Sequence, residues 1–79
     1  MEAGASPNPF RDRLTLRVPS PDGVRVQVRM YDRLGREVYG QTVNPVGQRG
    51  ELRPMVRPGL YLLRVVVGGQ AREIKVVRE

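Results

Sequence analysis

Apolar and polar residues alternate along most of this chain with a period of two. The clearest case is Val24 to Tyr31, where Val24, Val26, Val28 and Met30 make one row and Arg25, Gln27, Arg29 and Tyr31 the other. A period of two places successive side chains on opposite faces of a strand, so one face is buried and the other wet, as in an antiparallel sheet. Arg13 to Val18 repeats the pattern, with Leu14, Leu16 and Val18 inward. Glu37 to Val43 follows as a return strand, and Glu51–Arg53 is a short strand with Leu52 inward. The strongest signal is Leu60 to Val67, apolar at nearly every position. A strand apolar at both parities is expected to be covered on both sides. Gly68-Gly69 then supplies a two-residue hairpin loop, and a last strand returns through Ile74, Val76 and Val77.

The joints carry turn chemistry. Pro19 to Gly23 joins two strands: proline presets φ, aspartate bonds its own backbone, and glycine takes positive φ. Asp32-Arg33-Leu34-Gly35-Arg36 is a hairpin loop in which Gly35 is the left-handed residue of a type I turn with a bulge. Ser6 to Phe10 holds two prolines, neither able to donate to a sheet ladder, so it reads as an edge or entry bend. Residues 1–6 are a linker remnant or a weak edge strand, and residues 7–79 form the domain. Phe10, the one phenylalanine, plugs an end of the core. No segment has a helical period with caps. The fold class is therefore all-β, a small antiparallel immunoglobulin-like β-sandwich of six to seven strands, with a small barrel as the other arrangement. Tyr61, just after Pro58-Gly59, is either a tyrosine corner or a plain core aromatic.

Composition narrows the chemistry. A chain of 79 residues is one small domain with a thin core, or a piece of a longer chain. It lacks Cys and His, which removes disulfides, thiolate metal sites, and the commonest general base and metal ligand. The acids are scattered. No two form a glycosidase pair, and Asp12, Asp22 and Asp32 are too widely spaced for a calcium loop. No catalytic residue, metal site or cofactor is expected. No apolar run approaches the roughly 20 residues of a membrane helix, and the start does not read as a signal peptide. Net charge is +6, almost all from arginine, with Lys75 the only lysine. That charge reads either as a solvated arginine-rich surface or as a face for anionic polymers. Tyr31 with Arg25 and Arg29 is the one cluster suited to stacking nucleic-acid bases, and it is too small to predict a nucleic-acid partner.

The motifs also fall in a telling order: Pro7-Asn8-Pro9-Phe10; the Leu14-Thr15-Leu16 strand; Val-x-Val-x-Val-x-Met-Tyr-Asp-x-x-Gly-Arg-x-Val from Val24; Pro58-Gly59-Leu60-Tyr61-Leu62-Leu63-Arg64-Val65; and a terminal Lys75-Val76-Val77. From Ser6 to Val77 this resembles the type A C-terminal sorting domain of the type IX (Por) secretion system of Gram-negative bacteria. The resemblance implies a non-catalytic signal at the end of a secreted cargo protein fused ahead of it. The cargo passes through the periplasm to the cell surface or medium. The implied partners are the outer-membrane type IX translocon and a sortase-like cysteine peptidase that cuts ahead of the domain, without membrane insertion of the domain itself. Pro7, Asn8, Pro9 and Gly35 match as structural positions. Gly59, Tyr61, Ile74, Lys75, Val76 and Val77 match as the expected recognition residues. One mode of recognition is an exposed strand edge read through its backbone, with Lys75 adding charge beside Ile74 and Val76. The alternative functions are an immunoglobulin-like accessory module and a carbohydrate- or anion-binding module of a secreted multidomain enzyme.

Overall fold

The computed structural model describes residues 1–19 and 23–79. Ser20, Pro21 and Asp22, the middle of the Pro19–Gly23 turn, lie outside the described residues; Gly23 has the positive φ, 87°, that such a turn uses. Seven strands occur in chain order: β1 (Gly4–Ser6), β2 (Leu14–Arg17), β3 (Val26–Tyr31), β4 (Glu37–Val43), β5 (Arg49–Leu52), β6 (Gly59–Val67) and β7 (Gln70–Arg78). They form a three-stranded sheet in the order β1-β2-β5 and a four-stranded sheet in the order β4-β3-β6-β7. All strand pairs are antiparallel. The chain is thus a β-sandwich with strand exchange between sheets, as in immunoglobulin-like domains. The barrel alternative is excluded because the sheets do not close on each other.

The alternation places the core as expected. Leu14 and Leu16 on β2 and Leu52 on β5 face Val26, Val28 and Met30 on β3, Leu63 and Val65 on β6, and Val76 on β7; all are buried. Phe10 is fully buried with them. Each such aliphatic side chain contributes roughly 1.5–3 kcal/mol by leaving water. At the β4–β5 side the sheets approach closely. A Cβ built on Gly50 would stand 2.4 Å from Cγ1 of Val43, so only glycine fits there.

Three details differ from the sequence reading. β3 begins at Val26, and Val24, read as the first of its inward row, lies ahead of the strand and is half-buried. The fifth strand starts at Arg49 rather than Glu51, because Val46 and Arg49 bond to each other and launch it earlier. β6 is covered on one side only. Tyr61, Leu63 and Val65 are buried, while Leu60 is 46% exposed and Leu62 and Val66 are half-buried on the outer face. Among the described residues no further layer lies over that face.

Candidate functional site

The β6–β7 hairpin holds all six expected recognition residues. Its loop is Gly68-Gly69, closed by the pair Val67 and Gln70, with positive φ at Gly68 (59°). Gly59 opens β6 opposite Arg78. Tyr61 is buried, and its hydroxyl donates to the Arg57 carbonyl at 2.6 Å. A tyrosine at the start of the sixth strand bonded back to upstream backbone is a tyrosine corner, which decides between its two readings. It pins the Pro58 turn to the strand that follows.

The pleat divides the remaining four residues. Val76 is fully buried and Ile74 packs against the core, whereas Lys75 and Val77 point to the outer face. Lys75 therefore does not stand beside Ile74 and Val76, as the sequence reading had it. Strand alternation puts it on the opposite face, across from Leu62, while Val77 lies across from Leu60.

The edge of β7 is not open along this stretch. Asn8 lies beside it and uses its carboxamide as a peptide group: Nδ2 donates to the Lys75 carbonyl (3.0 Å), and Oδ1 accepts from the Val77 amide (2.9 Å). Two residues on, the Phe10 amide donates to the Val77 carbonyl and the Phe10 carbonyl accepts from the Glu79 amide, both at 2.8 Å. Phe10 thus runs parallel to Arg78 in a single β-bridge. Arg11 adds an exposed ion pair to Glu79 at 2.7 Å, which holds the Arg11 guanidinium above its ordinary pKa through that hydrogen bond. The flanking prolines, Pro7 and Pro9, have no N–H to offer, and each follows a cis peptide bond. The four-residue motif is a clasp on the last strand. The expectation of an exposed edge is corrected here: from the Lys75 carbonyl to the Glu79 amide its outward groups are already bonded.

A second motif shapes the neighbouring hairpin. Asp32 Oδ1 accepts from the amides of Leu34 and Arg36, and Oδ2 from Arg36 Nε, each at 2.9 Å. The Gly35 amide bonds the Asp32 carbonyl at 3.0 Å, with Gly35 at φ 80°, which is the type I turn with a left-handed glycine. The Arg36 amide, more than any other group, holds the Asp32 carboxyl below its usual range.

The outer face of the four-stranded sheet reads in rows. Leu60 sits beside Val77. Next come Lys75, Leu62, Tyr31 and Glu37, and then Glu73, Arg64, Arg29 and Gly40. Arg29 pairs with Glu37 at 3.0 Å and Arg64 with Glu73 at 3.6 Å. Arg29 is thus held by a carboxylate beside Tyr31, a poor arrangement for a base-stacking platform. Among the described residues no group of three or more acids is placed to hold a metal ion.

Sequence reasoning missed the clasp and the apolar outer row. Asn8 between two prolines was a readable cue: it is the one residue of the three whose side chain offers both a donor and an acceptor.

A comparison with curated proteins returns no match. The family model described as secretion system C-terminal sorting domain matches residues 5–79. That span takes in the clasp, the Asp32 loop, the tyrosine corner and the terminal hairpin, and the chain belongs to the family of type IX secretion C-terminal sorting domains.

Proposed function

We propose that this domain is a non-catalytic export signal that directs a cargo protein fused ahead of it across the outer membrane. The family match over residues 5–79 carries this reading. The folded domain is recognised by the outer-membrane type IX translocon after passage through the periplasm. A sortase-like cysteine peptidase then cuts ahead of it, freeing the cargo or joining it to a surface lipid. The β6–β7 hairpin is the recognition element. Gly59, Tyr61, Ile74 and Val76 set its shape, while Lys75 and Val77 present side chains to the receptor. Pro7, Asn8, Pro9 and Gly35 keep the scaffold in register.

An anion-binding module would need arginines free to take a ligand. Arg11, Arg13, Arg29, Arg36, Arg53 and Arg64 each already face a carboxylate, so such a module would have to draw on the remaining arginines. The test is a reporter with a periplasmic signal peptide fused ahead of residues 1–79. It should reach the surface of a strain with a working type IX system and stay in the periplasm when the translocon is deleted. Equal surface delivery in both strains would overturn the proposal.

A further inference from the structure

The aliphatic outer row of β6 has no counterpart among the described residues. Leu60 is 46% and Val77 38% exposed, side by side, with half-buried Leu62 and Tyr31 in the next row. Leu34, 75% exposed on the Asp32 loop, lines the same hollow as Leu60. A contiguous apolar patch rimmed by polar groups marks an interaction surface. Lys75 stands within it, opposite Leu62. The two acids of this face, Glu37 and Glu73, are taken by Arg29 and Arg64, and Lys75 is in none of the ion pairs among the described residues. Asn8 and Phe10 already bond the adjoining edge from the Lys75 carbonyl to the Glu79 amide, so side chains are the larger part of what this region can offer.

We infer that Leu60, Leu62, Val77 and Lys75 form a docking surface for a receptor protein that presents an apolar ridge beside a carboxylate. The inference rests on the sorting reading and names the face that its receptor reads. Charge selects the occupant. A second copy of this chain would bring another net charge of +6 and another Lys75 to the contact, and like charges brought together at an interface are strongly unfavourable. An anionic headgroup would satisfy Lys75 but leave the aliphatic row exposed. A carboxylate set in an apolar ridge satisfies both.

The experiment uses the reporter fusion in a strain with a working type IX system. It compares Lys75→Glu, Leu60→Ser, the conservative Lys75→Arg and, on the far strand of the same sheet, Gln41→Glu. Thermal unfolding of each 79-residue chain checks that the fold is kept. Lys75→Glu and Leu60→Ser should each lower surface reporter about tenfold, the scale of one lost interfacial charge pair or apolar anchor. Gln41→Glu should deliver normally, and Lys75→Arg, which keeps the charge, should recover delivery relative to Lys75→Glu. Because Lys75 is exposed, Lys75→Glu is expected to fold; if it does not, Leu60→Ser with Val77→Ser carries the test. Normal delivery by folded Lys75→Glu and Leu60→Ser, while a fusion lacking the domain stays in the periplasm, would overturn the surface and leave the sorting function standing. Surface delivery of the fusion lacking the domain would instead overturn the sorting reading. A Leu60-dependent dimer of the purified chain, or Lys75-dependent binding to phosphatidylglycerol vesicles, with delivery unaffected by either substitution, would likewise reject a receptor protein.

Discussion

The two edges of the four-stranded sheet are treated in opposite ways. On the β7 side, Asn8 and Phe10 bond the Lys75 carbonyl, both outward groups of Val77 and the Glu79 amide. On the β4 side no strand pairs with Tyr39 to Thr42. The alternation carried across the sheet turns the amides and carbonyls of Gly40 and Thr42 outward there. Bare edges invite strand addition, and proteins blunt them with charge, proline, bulges or a covering segment. β4 has a bulge opposite Met30 and Tyr31 and is otherwise left open. β7 receives a dedicated cover drawn from the opposite end of the chain. The difference teaches that the last strand is held in one closed form before any receptor meets it. On the proposed function, that closed form is what a receptor would meet, and the outer face is the part left for it to read.

Removing the cover should have the largest effect. Phe10→Ala deletes a fully buried ring and detaches the clasp. It should cost about 3–5 kcal/mol, read by chemical denaturation. A loss below about 1 kcal/mol would mean that Phe10 is not part of the core. Asn8→Ala keeps the core and removes only the two carboxamide bonds. Typical net hydrogen-bond values predict a loss of about 1–2 kcal/mol. An unchanged midpoint would show that the β7 edge needs no clasp.

The β4 edge is fixed from its end, by the Asp32 loop, and this makes a pH-dependent prediction. The folded state holds the Asp32 carboxyl below its unfolded value, so its contribution is present above about pH 4 and is lost as pH falls through the folded value. Asp32→Asn should therefore be less stable than the parent at neutral pH, and the gap should close in acid. A gap that is the same at pH 7 and pH 2.5 would remove the charge from the explanation. The smallest effect belongs to the open edge itself. Thr42→Ala should stay within about 0.5 kcal/mol of the parent. A larger loss would mean that this edge, too, has a structural partner.

Much of this was legible in the sequence, for reasons that also explain the rest. Val26, Val28 and Met30 alternate with Gln27 and Arg29 because one side of β3 meets the core and the other meets water, so their faces follow from period alone. Asp32 and Gly35 are local turn chemistry and read equally well. β6 misled, since a strand apolar at both parities looks the same whether its second face is covered by another layer of the domain or left bare, as Leu60 is here. Lys75 was placed beside Ile74 and Val76 by adjacency in sequence, which the pleat overrides. The clasp joins Asn8 to Lys75 and Val77 across most of the chain, and contacts of that range leave no periodic trace.

The account turns on the closed edge of β7, and amide hydrogen exchange across that strand tests it most directly. Val77 and Glu73 both turn their amides away from β6, but Val77 donates to Asn8 and Glu73 lies ahead of the clasp. In the 79-residue chain the Val77 amide should exchange slowly and the Glu73 amide fast, and Asn8→Ala should bring Val77 toward the rate of Glu73. Equal rates at Val77 and Glu73 in the parent chain, unchanged by Asn8→Ala, would contradict the clasp and reopen the edge to direct reading by a receptor.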